Sequence, residues 1–270
     1  YMKKHLPTIL LILVFCVGLS LLLYPTVSDY WNSLHQSRAI ASYVEAVADI
    51  DNTQYEAIWE KAKEYNLSLA EKGNRWTLTE EELENYYDQL DVSGNGIMGY
   101  IEIPTIGCAL PIYHGTDEAV LQIAVGHIEG SSLPTGGSST HTVLSGHRGL
   151  PSAKLFSDLD KLTEGDVFLL HVLDKTLTYE VDQILIVFPD ETDSLKVEEG
   201  KDLCTLVTCT PYGVNSHRLL IRGHRVENQE TEQAVRVRAD ALQIEPLLVA
   251  TFMAIPMLMV LLVAPVKKKK

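Results

Sequence analysis

The chain has 270 residues and a formal net charge of −14, from 36 acidic and 22 basic residues. Six of the basic residues lie at the two ends, as Lys3, Lys4 and residues 267–270, so the central part is more acidic than the whole. This charge argues against a nucleic-acid partner, which requires a basic face. The length suits one domain with accessory segments.

Two apolar segments lie near the ends of the chain, at residues 6–23 and 246–266. Each is close to the roughly 20 residues that cross a bilayer as a helix. Lysines flank both segments on their terminal sides, and the positive-inside rule then places both chain ends in the cytoplasm. The sequence therefore predicts a two-pass membrane protein with residues 25–245 outside the cell. A cleaved signal peptide is the alternative for the first segment, although residues 24–28 lack a small-x-small cleavage site.

Helices are predicted between the first span and the following body. Apolar residues recur every three or four positions over residues 28–72, with a break at Asp51 and Asn52, and Thr53 is the expected N-cap of the second helix. Residues 79–90 form a further short helix, because Thr79 and Glu82 have the spacing of a capping box.

Residues 91–102 match the spacing of a calcium-binding loop, with Asp91 first and Glu102 last. A helix should follow such a loop, however, whereas residues 101–104 read as a strand that ends at a proline. The pattern therefore favours a Gly/Asn turn that leads into the first strand of a β domain.

From Met98 onward the sequence is typical of short strands separated by Gly/Ser-rich turns. This density of strands indicates a barrel or a sandwich. One short helix is expected at residues 152–159. The strands are predicted at residues 99–103, 109–113, 141–146, 167–173, 176–189, 203–209 and 217–226.

Cys209 ends one of these strands and precedes a turn that contains Pro211, Gly213 and Asn215. Arg218 begins the returning strand, so a hairpin brings the thiol and the guanidinium together. A cation beside a thiol favours the reactive thiolate and also stabilises a developing oxyanion. For Cys108 and Cys204 we expect buried free thiols.

Catalysis by a reactive thiol also needs a group that carries protons, and histidine suits that role near neutral pH. His147 is the expected one, because it lies exposed at the tip of the strand in residues 142–149. His127, near another strand end, is the alternative. His217 should point to the opposite face of its strand from Arg218.

Residues 205–218, TLVTCTPYGVNSHR, resemble the active-site signature of the sortases, and the extended form TCTPYGVNSHRLLxRG is similar to class C, the pilin-polymerising sortases of Gram-positive bacteria. Residues 144–159, 99–104 and 110–116 also resemble motifs of this class. The resemblance covers about residues 30–225. It implies a mainly β fold, an eight-stranded barrel with N-terminal helices and two flanking transmembrane helices. The expected segments are an anchor (1–24), helices with a lid region (25–96), the barrel (97–226), a charged linker (227–245) and a second membrane helix with a lysine tail (246–270).

The resemblance also implies a mechanism and its residues. Cys209 is the expected nucleophile, His147 the general acid/base and Arg218 the oxyanion clamp. Thr208 and Thr210 are expected to support the substrate and the oxyanion. The substrate is an LPxTG-like sorting signal cleaved between Thr and Gly, and the acceptor is a lysine of another pilin subunit. No metal or organic cofactor is implied. The alternative is a housekeeping-type sortase that attaches surface proteins to cell-wall peptide.

One motif departs from the class pattern. Class C sortases usually carry a lid with an Asp-Pro-aromatic motif, whose aspartate meets the catalytic arginine and whose aromatic ring covers the cysteine. The matching residues are Asn74, Arg75 and Trp76. Trp76 retains the aromatic ring, but Asn74 cannot form the ion pair and Arg75 leaves the backbone freer than proline would. The hypothesis is a weaker or differently held lid that opens more readily.

Overall fold

The computed structural model describes residues 2–228, with the side chains of the first ten residues described only at Thr8. The predicted second membrane helix, residues 246–270, lies outside the described residues, as does the charged linker beyond Asn228.

Eight strands close into a barrel, which confirms the eight-stranded fold predicted from the resemblance. Going round the barrel, the strand order is β1-β2-β3-β4-β7-β8-β6-β5. The β2/β3 and β4/β7 pairs are parallel, and the other neighbours are antiparallel. The strands are β1 (Ile97–Ile103), β2 (Cys108–His114), β3 (Val125–His127), β4 (Thr140–Ser145), β5 (Val167–Val172), β6 (Lys175–Val187), β7 (Asp202–Thr210) and β8 (His217–Val226).

The apolar residues that alternate along these strands fill the barrel interior. Leu206 of β7 and Ile221 of β8, for example, are fully buried in one cluster with Phe168 and Tyr179. Side chains at alternate positions point out of the barrel. Here Val207 and Leu220 form a second, smaller cluster on the outer surface. The two faces of β7 and β8 therefore meet different surroundings, and this difference positions the site.

Two details of the strand region differ from prediction. The three-residue strand β3 was not predicted, because Val125, Gly126 and His127 are too few to show alternation. The helix predicted at residues 152–159 is wrong: this segment forms turns that end in a 3₁₀ turn at Leu159–Lys161. Tertiary contacts override its helical pattern, since the backbone N–H of Phe156 donates to the carbonyl of His147 (3.1 Å) and Leu155 takes a positive φ of 39°.

Three helices precede the barrel: α1 (Met2–Ala48), α2 (Asn52–Ala70) and α3 (Glu80–Tyr87). The predicted break near residue 51 is confirmed, but the N-cap of α2 is Asp51 rather than Thr53, because the Asp51 carboxylate accepts from the backbone of Gln54 (2.8 Å). The capping box of Thr79 and Glu82 is confirmed. Inside the protein, the hydroxyl of Tyr43 donates to the carbonyl of Met98 (3.0 Å), which ties α1 to β1.

Within the described residues, one helix is long and apolar enough to cross a membrane. It covers residues 11–48 of α1, and its most apolar window has a mean hydropathy of 2.2 with none of it buried in the protein. The segment predicted as an anchor is thus continuous with the first helix of the body.

The calcium-loop spacing at residues 91–102 forms a turn, as favoured above. The carboxylate of Asp91 accepts hydrogen bonds from the backbone of Asn95 (3.1 Å) and Gly96 (3.0 Å). Glu102 lies within β1 and pairs with Ala109 and Leu169. Asp91 and Glu102, the first and last positions of the loop pattern, therefore belong to a turn and a strand.

Candidate active site

Cys209 and Arg218 face each other across the hairpin of β7 and β8. The strand register pairs them directly, with Thr210 opposite His217 at the next position. Directly paired residues of antiparallel strands project to the same face. Both side chains are partly exposed. The guanidinium of Arg218 donates to the carbonyls of Asn215 (3.2 Å) and His217 (3.1 Å), which holds it over the turn that follows Cys209.

The loop after β4 places His147 beside the end of β7. Parallel pairing runs to Ser145 and Val207, and the next backbone N–H, of Gly146, donates to the carbonyl of Val207 (3.0 Å). Gly146 must be a glycine, because an added Cβ would lie 2.7 Å from the ring of Phe156. The structure therefore brings His147 to the same barrel end as Cys209, as predicted.

One neighbour of His147 was not found from the sequence. The carboxylate of Glu118, in the short helix α4 (Glu118–Leu121), lies 3.8 Å from Nε2 of His147. Its own side chain is 74% exposed. Residues 118 and 147 are far apart in the chain and no motif links them, so only the fold reveals the contact.

Thr208 and Thr210 are buried, and strand alternation turns their side chains to the face opposite Cys209. The hydroxyl of Thr208 donates to the carbonyl of Gly146 (2.7 Å), immediately before His147. The hydroxyl of Thr210 lies 3.4 Å from a guanidinium nitrogen of Arg148, immediately after it. Both threonines thus contact the histidine loop through their side chains.

The segment predicted as a lid, residues 74–76, lies on the face that carries Cys209. Trp76 packs against the outer cluster with Val143, Val207 and Leu220. Val207 and Leu220 lie on the same faces of their strands as Cys209 and Arg218, two positions away. The ring is therefore close to the predicted site on the surface where a substrate would lie.

Arg75, and not Asn74, connects this segment to the barrel. The guanidinium of Arg75 is buried and donates to the carbonyl of Leu195, in the loop between β6 and β7. It also stacks on the Trp76 ring, 4.6 Å from its centre. Asn74 bonds only within its own turn, accepting from the backbone of Trp76 (3.3 Å) and donating to Thr77 (3.2 Å).

The lid segment also packs closely on the backbone of the barrel. Gly130, in the loop after β3, has a positive φ of 83°, and an added Cβ there would lie 2.1 Å from the carbonyl oxygen of Arg75. A side chain at this position would displace the segment. Residues 74–76 are thus fixed both by the Arg75 side chain and by a backbone contact.

The alternative histidine, His127, is fully buried in the structure. Its Nδ1 accepts from the hydroxyl of Tyr86 (2.9 Å), and its Nε2 donates to the carbonyl of Ser132 (2.9 Å). His141 is buried in the same way, between the carbonyl of Lys196 (2.8 Å) and the hydroxyl of Thr205 (2.7 Å). Burial lowers the pKa of each to about 4, so both imidazoles are neutral at physiological pH.

These two histidines predict a pH dependence of stability. Between about pH 6.5 and pH 4 the unfolded chain binds protons at both imidazoles while the folded chain does not, so the free energy of unfolding falls as the pH falls through this window. The full loss is on the order of 3 kcal/mol per histidine. Urea unfolding measured at intervals from pH 7 to pH 4 tests this. His141→Gln should reduce the pH slope, whereas an unchanged slope would contradict the assignment.

Of the remaining cysteines of the barrel, Cys204 is a buried thiol as expected, whereas Cys108 is only partly buried. Burial raises the pKa of Cys108 to about 12 and raises that of Cys204 well above its ordinary value. Neither contacts the predicted site, and all four cysteines of residues 2–228 are unpaired. Within that range, no cluster of three or more His, Cys, Asp or Glu side chains has the arrangement of a metal site.

The barrel matches a known protein family over almost its whole length. The family model described as the sortase domain matches residues 101–226. Sortase D of Bacillus subtilis (strain 168) is 35% identical over 131 residues, which cover 47% of this chain and 63% of that protein.

Solved structures extend the match. Sortase C1 from Streptococcus agalactiae is 55% identical with a TM-score of 0.70, over 71% of this chain and 100% of that one. Clostridium perfringens sortase C, solved with the C-terminal cell wall sorting motif, is 43% identical with a TM-score of 0.62, over 70% and 98% of the two chains. The chain therefore belongs to the sortase family of cysteine transpeptidases, and within it to class C.

Proposed function

We propose that this chain polymerises pilins: it cleaves an LPxTG-like sorting signal between Thr and Gly and joins the new acyl group to a lysine of another pilin subunit. The observation that carries the proposal is the direct pairing of Cys209 with Arg218 at the barrel end that also holds His147. The sequence identity to solved class C sortases supports the pilin role. The sorting motif in the C. perfringens structure indicates the type of donor.

In the first half-reaction, the thiolate of Cys209 attacks the carbonyl carbon of the threonine. The electron pair of the carbonyl moves to its oxygen, and the guanidinium of Arg218, with backbone amides near Cys209, stabilises that oxyanion. His147 gives its proton to the departing glycine amine as the C–N bond breaks. The products are a thioester on Cys209 and a free glycine-ended peptide.

In the second half-reaction, a neutral lysine amine attacks the thioester carbon. A new C–N bond forms, His147 accepts the amine proton, and the C–S bond breaks to restore the Cys209 thiolate. Thr208 and Thr210 act as positioning residues, because their side chains contact the loop that carries His147. None of these steps requires a metal or organic cofactor.

We further propose that residues 74–76 form a lid held by Arg75. The class pattern uses an aspartate that meets the catalytic arginine, and Asn74 cannot replace that charge. In its place Arg75 bonds to the carbonyl of Leu195 and stacks on Trp76. This leaves Arg218 free of a lid carboxylate, so that opening the lid requires loss of the Arg75 contact and withdrawal of the Trp76 ring.

The lid predicts a change in the reactivity of Cys209. Arg75→Met keeps the apolar stem but removes a charge-assisted hydrogen bond, whose loss costs about 1.5–3 kcal/mol. The population of the open lid should then rise at least about tenfold, and Cys209 should react with a thiol reagent faster by the same factor. Trp76→Ala should have a similar effect. The labelled peptides are identified by mass, so that Cys209 is followed separately from the other thiols.

Arg38→Met is the matched control, since Arg38 is an exposed arginine on α1. It should label Cys209 at the wild-type rate. If Trp76→Ala and Arg75→Met also label at that rate, residues 74–76 do not cover the cysteine and the lid proposal fails.

The proposed location is the cell membrane, with the barrel outside the cell. The apolar helix at residues 11–48 supports an N-terminal anchor. The lysines beside the apolar segment at 246–266 support a second crossing in the opposite direction. The proposed segments keep the boundaries 1–24, 25–96, 97–226, 227–245 and 246–270. Anchoring at one surface raises the effective concentration of enzyme and anchored substrates.

The test of the polymerising role uses the full chain in detergent micelles with a purified pilin subunit that carries an LPxTG-like signal. We expect ladders of covalent multimers on denaturing gels. Cleavage without ladders, together with transfer to an added glycine peptide, would instead support attachment of surface proteins to cell-wall peptide.

A further inference from the structure

A group of large apolar side chains is exposed on the barrel wall beside the site. Ile184 and Ile186 lie on β6, Phe188 directly follows it, and Tyr212 and Val214 lie in the loop between β7 and β8. Ile186 is 64% exposed and Val214 70% exposed. Contiguous exposed apolar surface of this kind marks interaction sites on soluble domains. No other segment of residues 2–228 covers it.

Ile184, Ile186 and Tyr212 of this group border a groove of about 450 Å³. We call it the β6 groove, defined by the exposed Ile184 and Ile186 of β6 and Tyr212, with the buried Leu219 and Ile221 of β8 as its floor. Strand pairing joins Ile184 to Ile221 and Ile186 to Leu219, so the four side chains share one face. Leu219 and Ile221 alternate with Arg218 and Leu220. The groove therefore lies on the opposite face of β8 from the lid cluster.

The β6 groove begins next to both reactive residues. Its lining includes Thr210, which follows Cys209, and Arg148, which follows His147. The guanidinium of Arg148 lies 5.8 Å from the centre of the Tyr212 ring, so that the histidine loop and the β7–β8 loop meet at this edge. A chain bound in the groove would reach the strand end from the side away from the lid.

The charges at this edge suit a lysine. Asp160 lines the groove with its side chain 46% exposed, while its ion-pair partner Arg148 is only 9% exposed. The charge exposed to solvent at this edge is therefore mainly that of the Asp160 carboxylate. Glu118 provides a second exposed carboxylate, 3.8 Å from His147. An incoming ammonium group meets acidic side chains at the groove and beside the histidine.

We propose that the β6 groove is the docking site of the acceptor, a lysine-bearing protein segment with apolar residues beside the lysine. This inference rests on the proposed function, because transpeptidation requires a second substrate. The donor peptide occupies the face that Trp76 covers, next to Cys209 and Val207. The acceptor then binds the uncovered groove, and the two substrates meet at the strand end without competing for one surface.

The test compares two acceptor peptides of equal length with one lysine each. Valine and phenylalanine flank the lysine in the first, and serine and threonine in the second. The full chain in detergent micelles is first acylated with an LPxTG-type peptide, and aminolysis of the thioester is then followed by mass spectrometry. We expect the wild-type chain to use the apolar peptide with at least about tenfold higher kcat/KM, a difference of about 1.4 kcal/mol.

Ile186→Glu should remove most of this preference and leave the acylation rate unchanged, and Tyr212→Ser should act in the same direction. Leu67→Glu is the matched control, because Leu67 is 67% exposed on α2, away from the site. It should behave as the wild type. Equal use of both peptides by the wild type, or a preference that survives Ile186→Glu, would overturn the proposal.

Two further outcomes distinguish failure of the groove proposal from failure of the proposed function. If Ile186→Glu slows acylation as much as aminolysis, the groove serves the donor and the acceptor proposal fails. If the wild type forms no thioester on Cys209, the proposed function itself fails. A thioester that reacts with hydroxylamine but shows no peptide preference overturns the groove alone.

Discussion

Replacing Cys209 with alanine is expected to reduce sorting-signal cleavage and ligation together by more than about a thousandfold, because removal of a nucleophile eliminates the covalent pathway. The variant should also form no acyl adduct. Intact-mass spectrometry of the chain after incubation with an LPxTG-type peptide measures the adduct directly. The variant should fold, because Cys209 is partly exposed at a strand end.

Cys16→Ser provides the comparison, since Cys16 is exposed on the apolar helix far along the chain from the barrel. It should retain full activity and the full adduct. An adduct that persists in Cys209→Ala, or cleavage at the wild-type rate, would show that another group is the nucleophile.

Arg218→Gln is expected to lower the rate constant of acylation by about a hundredfold to a thousandfold, the usual cost of removing one oxyanion donor. The glutamine retains a hydrogen-bond donor but has no charge and a shorter reach. The loss should appear mainly in kcat, because the oxyanion exists only in the transition state and intermediate. Single-turnover formation of the thioester measures this step apart from later transfer.

Arg225→Gln is a control on the same strand, seven residues after Arg218 and toward the other end of β8. Arg225 contacts the carbonyls of Thr178 (3.1 Å) and Val226 (3.3 Å). Its loss should leave the acylation rate near that of the wild type. Acylation at the wild-type rate in Arg218→Gln would contradict the clamp.

The parts of the site that are local in sequence were predictable. Cys209 and Arg218 belong to one hairpin, whose turn residues and apolar alternation are visible in residues 205–221. His147 was predictable from its position after a strand, although its approach to Cys209 depends on the parallel pairing of β4 and β7. The resemblance to class C predicts that these residues share one site.

The contacts that the sequence did not reveal join distant segments. Arg75 reaches the carbonyl of Leu195, and Glu118 reaches His147, and neither pair shares a periodicity or a motif. Local patterns also fail where tertiary packing decides, as in residues 152–159, whose helical pattern is overridden by contacts such as that of Phe156 with His147. In the sequence, residues 74–76 only lack the Asp-Pro of the class pattern. In the fold, Arg75 makes its own hydrogen bond to the carbonyl of Leu195.

Two apolar surfaces thus lie on opposite faces of the same strands. Trp76 packs on one of them, and the β6 groove leaves the other open among residues 2–228. Cys209 lies on the first face and Thr210 on the second, so the end of β7 is the boundary between them. In the proposed mechanism, this arrangement lets one thiol serve a donor and an acceptor in turn.

The most direct test of the central claim is the chemical structure of the product made by the full chain from pilin subunits. Tandem mass spectrometry of the digested product should show an amide bond between the threonine carbonyl of the cleaved signal and a lysine ε-amine of the next subunit. The residues after that threonine should be absent. A product that ends in a free threonine carboxylate, or one joined only to the amine of a wall peptide, would contradict the account.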